Sequence, residues 1–238
     1  MTAKKANHFL LDWRIPLIGD FYTDLALKII GGKKTAGSQD AGDIENDKLD
    51  TDIEVKGRSN KNAFIVRAKQ LEKRIAETGF PYGNSWYALF SYRNKWKGSD
   101  RRLGNVTSNA AEVDDFLGKN LKQMFIVDSR LIEALRQAGE LEESEIASGQ
   151  QESQIVLRVE RKQFKQFLVT PEKCFAKYKL RGFRSAVFKV AMTFRGQPIK
   201  FDLFVVLPRK KLAELLDSFQ AKLPFPSDSE EFQMEAVG

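Results

Sequence analysis

The sequence predicts an α/β protein with a mixed central sheet flanked by helices and an additional α+β region toward the C-terminal end. Three observations predict it. Segments with apolar residues at helical spacing alternate with short β-branched and aromatic runs over residues 15–137. Clusters of glycine and polar residues separate these segments. Past an acidic stretch the pattern shifts to longer alternating runs that meet at Arg195-Gly196-Gln197.

Ile15 to Ile30 reads as a helix because Leu17, Phe21, Leu25 and Ile29 recur on one face, and Gly31-Gly32 stops it. Lys33 to Gly42 is polar and reads as a loop or a weakly apolar strand. Asp43-Ile44-Glu45 reads as a short strand, Asn46-Asp47-Lys48 as a turn, and Leu49 to Lys56 as the next strand. Phe64-Ile65-Val66 is too β-branched to open a helix and reads as briefly extended. Arg67 to Thr78 is the next helix, with Ala68, Leu71 and Ile75 on one face and Gly79 as its stop. Trp86 to Tyr92 and Met124 to Val127 read as strands. Asp128 or Ser129 caps a helix over Leu131 to Gln137, which Gly139 ends. Thr170-Pro171-Glu172 has the cap, early proline and acid of a further helix start. Ser185 to Thr193 and Pro198 to Leu207 form a hairpin, and Pro208 to Leu223 an amphipathic helix. The chain therefore divides into a core over 1–138, an acidic linker over 139–154, a basic α+β region over 155–223 and a loose tail over 224–238.

Composition narrows the chemistry. A single cysteine, Cys174, excludes an internal disulfide framework and cysteine-rich zinc sites. A single histidine, His8, excludes histidine-based metal clusters and argues against a Ser-His-Asp mechanism. No apolar run reaches the length of a membrane span, and the N-terminal residues lack the apolar segment of a signal peptide, so an intracellular, cytoplasmic protein is expected. The net charge is +7, and it is segregated. Arg158 to Lys211 holds 15 Lys and Arg against 3 acids, whereas Gly139 to Gln154 holds five glutamates and no base. A basic block of that length suits a polyanionic partner.

The chemistry concentrates on Ile53-Glu54-Val55-Lys56. Side chains alternate along a strand, so Ile53 and Val55 face one way and Glu54 and Lys56 the other. The apolar pair seats the strand, and a carboxylate and an ammonium share the second, open face. Asp43, on the preceding strand, supplies a second carboxylate. Asp40 lies three residues earlier and rivals it. Two carboxylates suit Mg²⁺, a hard cation that prefers oxygen ligands, and the Val55 carbonyl is a third candidate ligand. A cation so held promotes phosphodiester hydrolysis, with Lys56 orienting water or neutralising developing charge.

The segment Gly37 to Phe90 resembles the PD-(D/E)xK nuclease superfamily, in particular the archaeal Holliday-junction-resolvase branch. The residues carrying the resemblance are Gly42-Asp43-Ile44, Ile53-Glu54-Val55-Lys56 and Arg67-Ala68-Lys69-Gln70-Leu71. Gly42 stands where the motif's name has proline. The resemblance implies a restriction-endonuclease-like core within 1–138 and a metal site of Asp43, Glu54 and Val55. It makes Lys56 catalytic and Gln70 a support from the following helix, with Asp24 or Asp20 as an added acid. It places Lys33, Lys34 and Ser38 near the phosphate. Arg58, Lys95, Arg101 and Arg102 are further candidate DNA contacts, as are Lys179, Arg181 and Arg184 in the basic region. Trp96 is a candidate for base stacking. The implied activity is a Mg²⁺-dependent DNA endonuclease, with Mn²⁺ as substitute and a homodimer as the expected assembly. It would be junction-resolvase-like, or alternatively a type II restriction endonuclease. An expectation from another class is a non-catalytic DNA-binding protein with a nuclease-like core.

Overall fold

A computed structural model describes residues 14–35, 42–59, 63–76, 83–92, 119–148, 151–160, 168–172 and 182–220. Its elements run α1 (Arg14–Ile30), β1 (Lys33–Lys34), β2 (Ile44–Asn46), β3 (Thr51–Ser59), β4 (Ala63–Arg67), α2 (Ala68–Ile75) and β5 (Asn84–Tyr92). They continue with β6 (Leu121–Asp128), α3 (Ser129–Gln137), β7 (Glu142–Ser148), β8 (Gln151–Glu160), β9 (Leu168–Glu172), β10 (Phe183–Phe194), β11 (Gln197–Pro208) and α4 (Arg209–Gln220). The protein is α/β, and among the described residues its main sheet has eight strands in the order β1-β2-β3-β5-β6-β11-β10-β9. Within it β3 and β5 run parallel, and the other neighbours are antiparallel. A parallel pair needs a crossover, which β4 and α2 provide. A second sheet has the order β4-β8-β7.

Both faces of the main sheet are covered. On one, Ile53 and Val55 of β3 and Ala88 and Phe90 of β5 pack under Tyr22, Ala26 and Ile29 of α1. On the other, Tyr87, Leu89, Phe125 and Val127 pack with Phe64 and Val66 of β4, Leu71 of α2, Leu131 and Leu135 of α3 and Leu212 of α4. Burial on both faces accounts for the continuous apolar run of β5, unlike the alternation of a half-solvated strand.

Local chemistry sets the boundaries. The left-handed φ values of Gly31 and Gly32, 83° and 107°, end α1. Asp128 caps α3, its Oδ1 accepting from the Arg130 N–H at 2.8 Å. The β10–β11 hairpin turns at Arg195 and Gly196, both at positive φ. Two expectations differ from the structure. Glu142–Ser148, within the acidic stretch expected to be a linker, forms β7 and pairs with β8. Leu168–Glu172 is extended as β9, where a helix start was expected. β9 is the edge of the main sheet, where Pro171 costs no central ladder bond. The basic β10–β11 hairpin joins the main sheet directly, because β11 pairs with β6.

Candidate functional site

The register of two short strands assembles the site. β2 pairs with β3 so that Ile44 lies opposite Ile53. Asp43, one residue before, therefore lies beside Glu54, one residue after. The ladder ends there, because Asp43 Oδ2 accepts from the Val55 N–H at 2.7 Å. A strand residue presents its N–H and C=O to the same edge, so the Val55 carbonyl points to the edge that Asp43 occupies.

Gly42, the residue before Asp43, admits neither proline nor a side chain. Its N–H donates to Asp52 Oδ1 at 2.7 Å, a bond proline cannot make. A Cβ there would overlap the Asp52 carboxylate and stand 2.6 Å from the Ile53 carbonyl oxygen.

Glu54 is buried, at 7% exposure, on the face opposite Ile53 and Val55. The expected open face is therefore closed over this carboxylate. Its Oε1 pairs with Lys56, which keeps a third of its side-chain surface exposed. Its Oε2 lies 3.5 Å from Arg74 Nη1. Arg74 is also buried and pairs with Asp52 Oδ2 at 3.0 Å. Its Nη2 donates to the backbone carbonyls of Asp52 and Trp86, each at 3.3 Å, and its guanidinium lies over the Tyr87 ring. Asp52 and Arg74 went unnoticed in the sequence, although both carried a signal. Asp52 alternates onto the Glu54 face, and Arg74 stands three residues after Leu71, on the stripe assigned to Ile75. Arg74 is buried there and Ile75 only half-buried.

Burial raises the Asp43 carboxyl above the ordinary carboxylate range, and the Glu54 charge adds to this. Asp52 is raised as well, because burial outweighs the attraction of Arg74. Lys34 is raised by its hydrogen bond to Asp20, and the charges of Asp20, Asp24 and Asp43 favour its ammonium. Lys34 thus stands in the field of the site but is engaged by Asp20 on α1. Lys33 pairs with Glu45 at 3.4 Å and Asp47 at 3.8 Å. Asp20 and Asp24 are exposed, one turn apart on α1.

Gln70 is half-buried on α2, one turn before Arg74, and among the described residues no hydrogen bond ties it to Asp43, Glu54 or Lys56. Arg58 lies on β3, two residues past Lys56. Arg184 is exposed on β10, four strand positions from β3, or roughly 19 Å at the usual strand spacing. Ser38, Asp40, Lys95, Trp96, Arg101, Arg102, Cys174, Lys179 and Arg181 lie outside the described residues, as does His8. Tyr87 and Tyr92 are core residues, and Trp86 packs on Phe204 with ring centroids 5.5 Å apart.

The donor set of Asp43, Glu54 and the Val55 carbonyl is all oxygen and fits Mg²⁺ or Mn²⁺. Among the described residues no group of three or more His, Cys, Asp or Glu side chains is placed to hold a metal. Mg²⁺ commonly uses one or two carboxylates with water completing its shell. The cation would share Glu54 with Lys56 and Arg74, and its charge would relieve the repulsion between Asp43 and Glu54. Comparisons with family models, curated proteins and solved structures return no match for this chain.

Proposed function

We propose that this protein is a Mg²⁺-dependent DNA endonuclease whose centre is Asp43, Glu54 and Lys56, built on a PD-(D/E)xK-type core. The observation that carries the reading is the β2–β3 register, which sets Asp43 beside Glu54 while Lys56 pairs with Glu54. The element order supports it: a helix, the four strands β1 to β4, the crossover helix and then β5 parallel to β3. The basic excess suits a phosphate backbone.

Asp43, Glu54 and the Val55 carbonyl would hold the cation, which when bound neutralises phosphate charge and lowers the pKa of a coordinated water. Lys56 stands at the partly exposed rim of the site, where it can hold a phosphate oxygen or orient the attacking water. Burial of Glu54 keeps bulk water from competing for that carboxylate.

The junction-resolvase-like form is the first reading of the substrate. The restriction form has one observation in its favour, the extension of the main sheet beyond β5 by β6, β11, β10 and β9. That extension supplies additional surface for reading sequence. The test offers plasmid, linear duplex and a four-way junction to the full chain with Mg²⁺ or Mn²⁺. Cleavage of at least one form is expected, and Asp43→Ala and Lys56→Ala should abolish it while DNA binding persists. Binding without cleavage by the wild type on every form would leave the non-catalytic alternative. Preference for the junction over linear duplex separates the two enzyme readings.

A further inference from the structure

Asp43 and Glu54 stand on different strands, and a shared cation needs their oxygens held at one separation. The structure contains a brace between them. Asp52 Oδ1 accepts from the N–H of Gly42, the residue before Asp43. Asp52 Oδ2 pairs with Arg74, and Arg74 faces Glu54 Oε2. The brace therefore runs from the backbone beside one carboxylate to the side chain of the other. Its middle member is anchored further, because Arg74 Nη2 also donates to backbone carbonyls on both β3 and β5. The planar guanidinium suits this task, since its fixed fork reaches two backbone carbonyls while its charge faces both carboxylates.

Charge accounts for the fourth residue. Arg74 alone beside Glu54 would cancel the anion that a cation needs. Asp52 compensates Arg74, so the Asp52–Arg74 pair is neutral as a unit. Glu54 keeps its acceptor capacity while its orientation is held. The helix gains as well. α2 has eight residues, and the side chain of its N-cap residue, Arg67, makes no capping bond, so its seat depends on tertiary contacts such as this one.

We infer that Arg74, held by Asp52, is a positioning residue that sets the Glu54 carboxylate against Asp43 for binding a divalent cation. The inference rests on the nuclease reading above. The alternative is that the Asp52–Arg74 pair serves the fold alone.

The decisive variant is Asp52→Asn combined with Arg74→Met in the full chain. It removes one negative and one positive charge, so net charge is conserved. Asparagine keeps an oxygen for the Gly42 N–H, and methionine fills much of the vacated space. A purely structural pair replaced in this way leaves metal affinity where it was. Binding of Mn²⁺ without DNA is measured by electron paramagnetic resonance at fixed pH. Wild type, the double variant and Glu54→Gln are compared, with a thermal melt of each. The expected result is a double variant that melts cooperatively near the wild type and binds Mn²⁺ about ten- to a hundredfold more weakly, the range for residues that orient metal ligands. Mn²⁺ affinity equal to wild type in the folded double variant overturns the inference. If the double variant does not fold, Arg74→Lys is read on the same scale, since it keeps the buried charge but not the fork. A wild type that binds no Mn²⁺ and cuts no DNA removes the nuclease reading itself. A wild type that binds Mn²⁺, with loss in Glu54→Gln and none in the double variant, removes only the role of Arg74.

Discussion

Replacing Asp52 by asparagine perturbs one member of a buried ion pair and little else. The carboxylate and the Arg74 guanidinium have side-chain exposures of 3% and 2% and stand 3.0 Å apart. Asparagine preserves the acceptor for Gly42 but turns an amide NH₂ toward a guanidinium NH₂, donor against donor. Arg74 then faces Glu54 at 3.5 Å, a carboxylate already engaged by Lys56, without the Asp52 charge beside it. Removing one partner of such a pair costs about 3–5 kcal/mol, since the other charge stays buried. At about 2–4 °C per kcal/mol for a chain of this size, the melting temperature should fall by roughly 6–20 °C. Removing both partners should cost far less, because no charge is then left buried without its partner. Urea unfolding of wild type, Asp52→Asn and the double variant with Arg74→Met measures all three stabilities. A loss below about 1 kcal/mol in the single variant would refute the reasoning, because surface pairs are that weak and buried ones are not.

Asp43 gives a pH prediction. Its folded carboxyl lies above its ordinary range, so its favourable contribution is complete below the unfolded value and is lost as pH rises through the folded one. With metal chelated, Asp43→Asn should therefore match the wild type below about pH 4 and be the more stable protein at neutral pH; the reverse order in paired melts counts against the assigned environment. Added Mn²⁺ should raise the melting temperature of the wild type and leave Asp43→Asn nearly unmoved. Gly57→Ala would place a Cβ 2.6 Å from the buried Tyr22 ring, which stacks on Phe90, and should cost about 1–3 kcal/mol by chemical denaturation. Asp128→Ala removes the α3 cap and should cost about 1 kcal/mol, with the Arg130 pair lost alongside.

Much of this protein was legible in its residues. Alternation alone assigned Ile53 and Val55 to one face and Glu54 and Lys56 to the other, because a strand's side-chain period is fixed by backbone geometry. The helix ending at Gly31-Gly32 and the hairpin at Arg195-Gly196 were readable for the same reason, since left-handed backbone favours glycine. What local pattern could not show was pairing between distant segments. The acidic stretch became β7 because β8 was available beside it. The Pro171 segment became β9 because the edge of the sheet accepts proline. The candidate site divides along the same line. Sequence named Asp43, Glu54 and Lys56, but only the tertiary structure set Arg74 between Asp52 and Glu54 and closed the face that alternation left open. A buried charge is stable only with its partner, and that partner lay 22 residues away on another element.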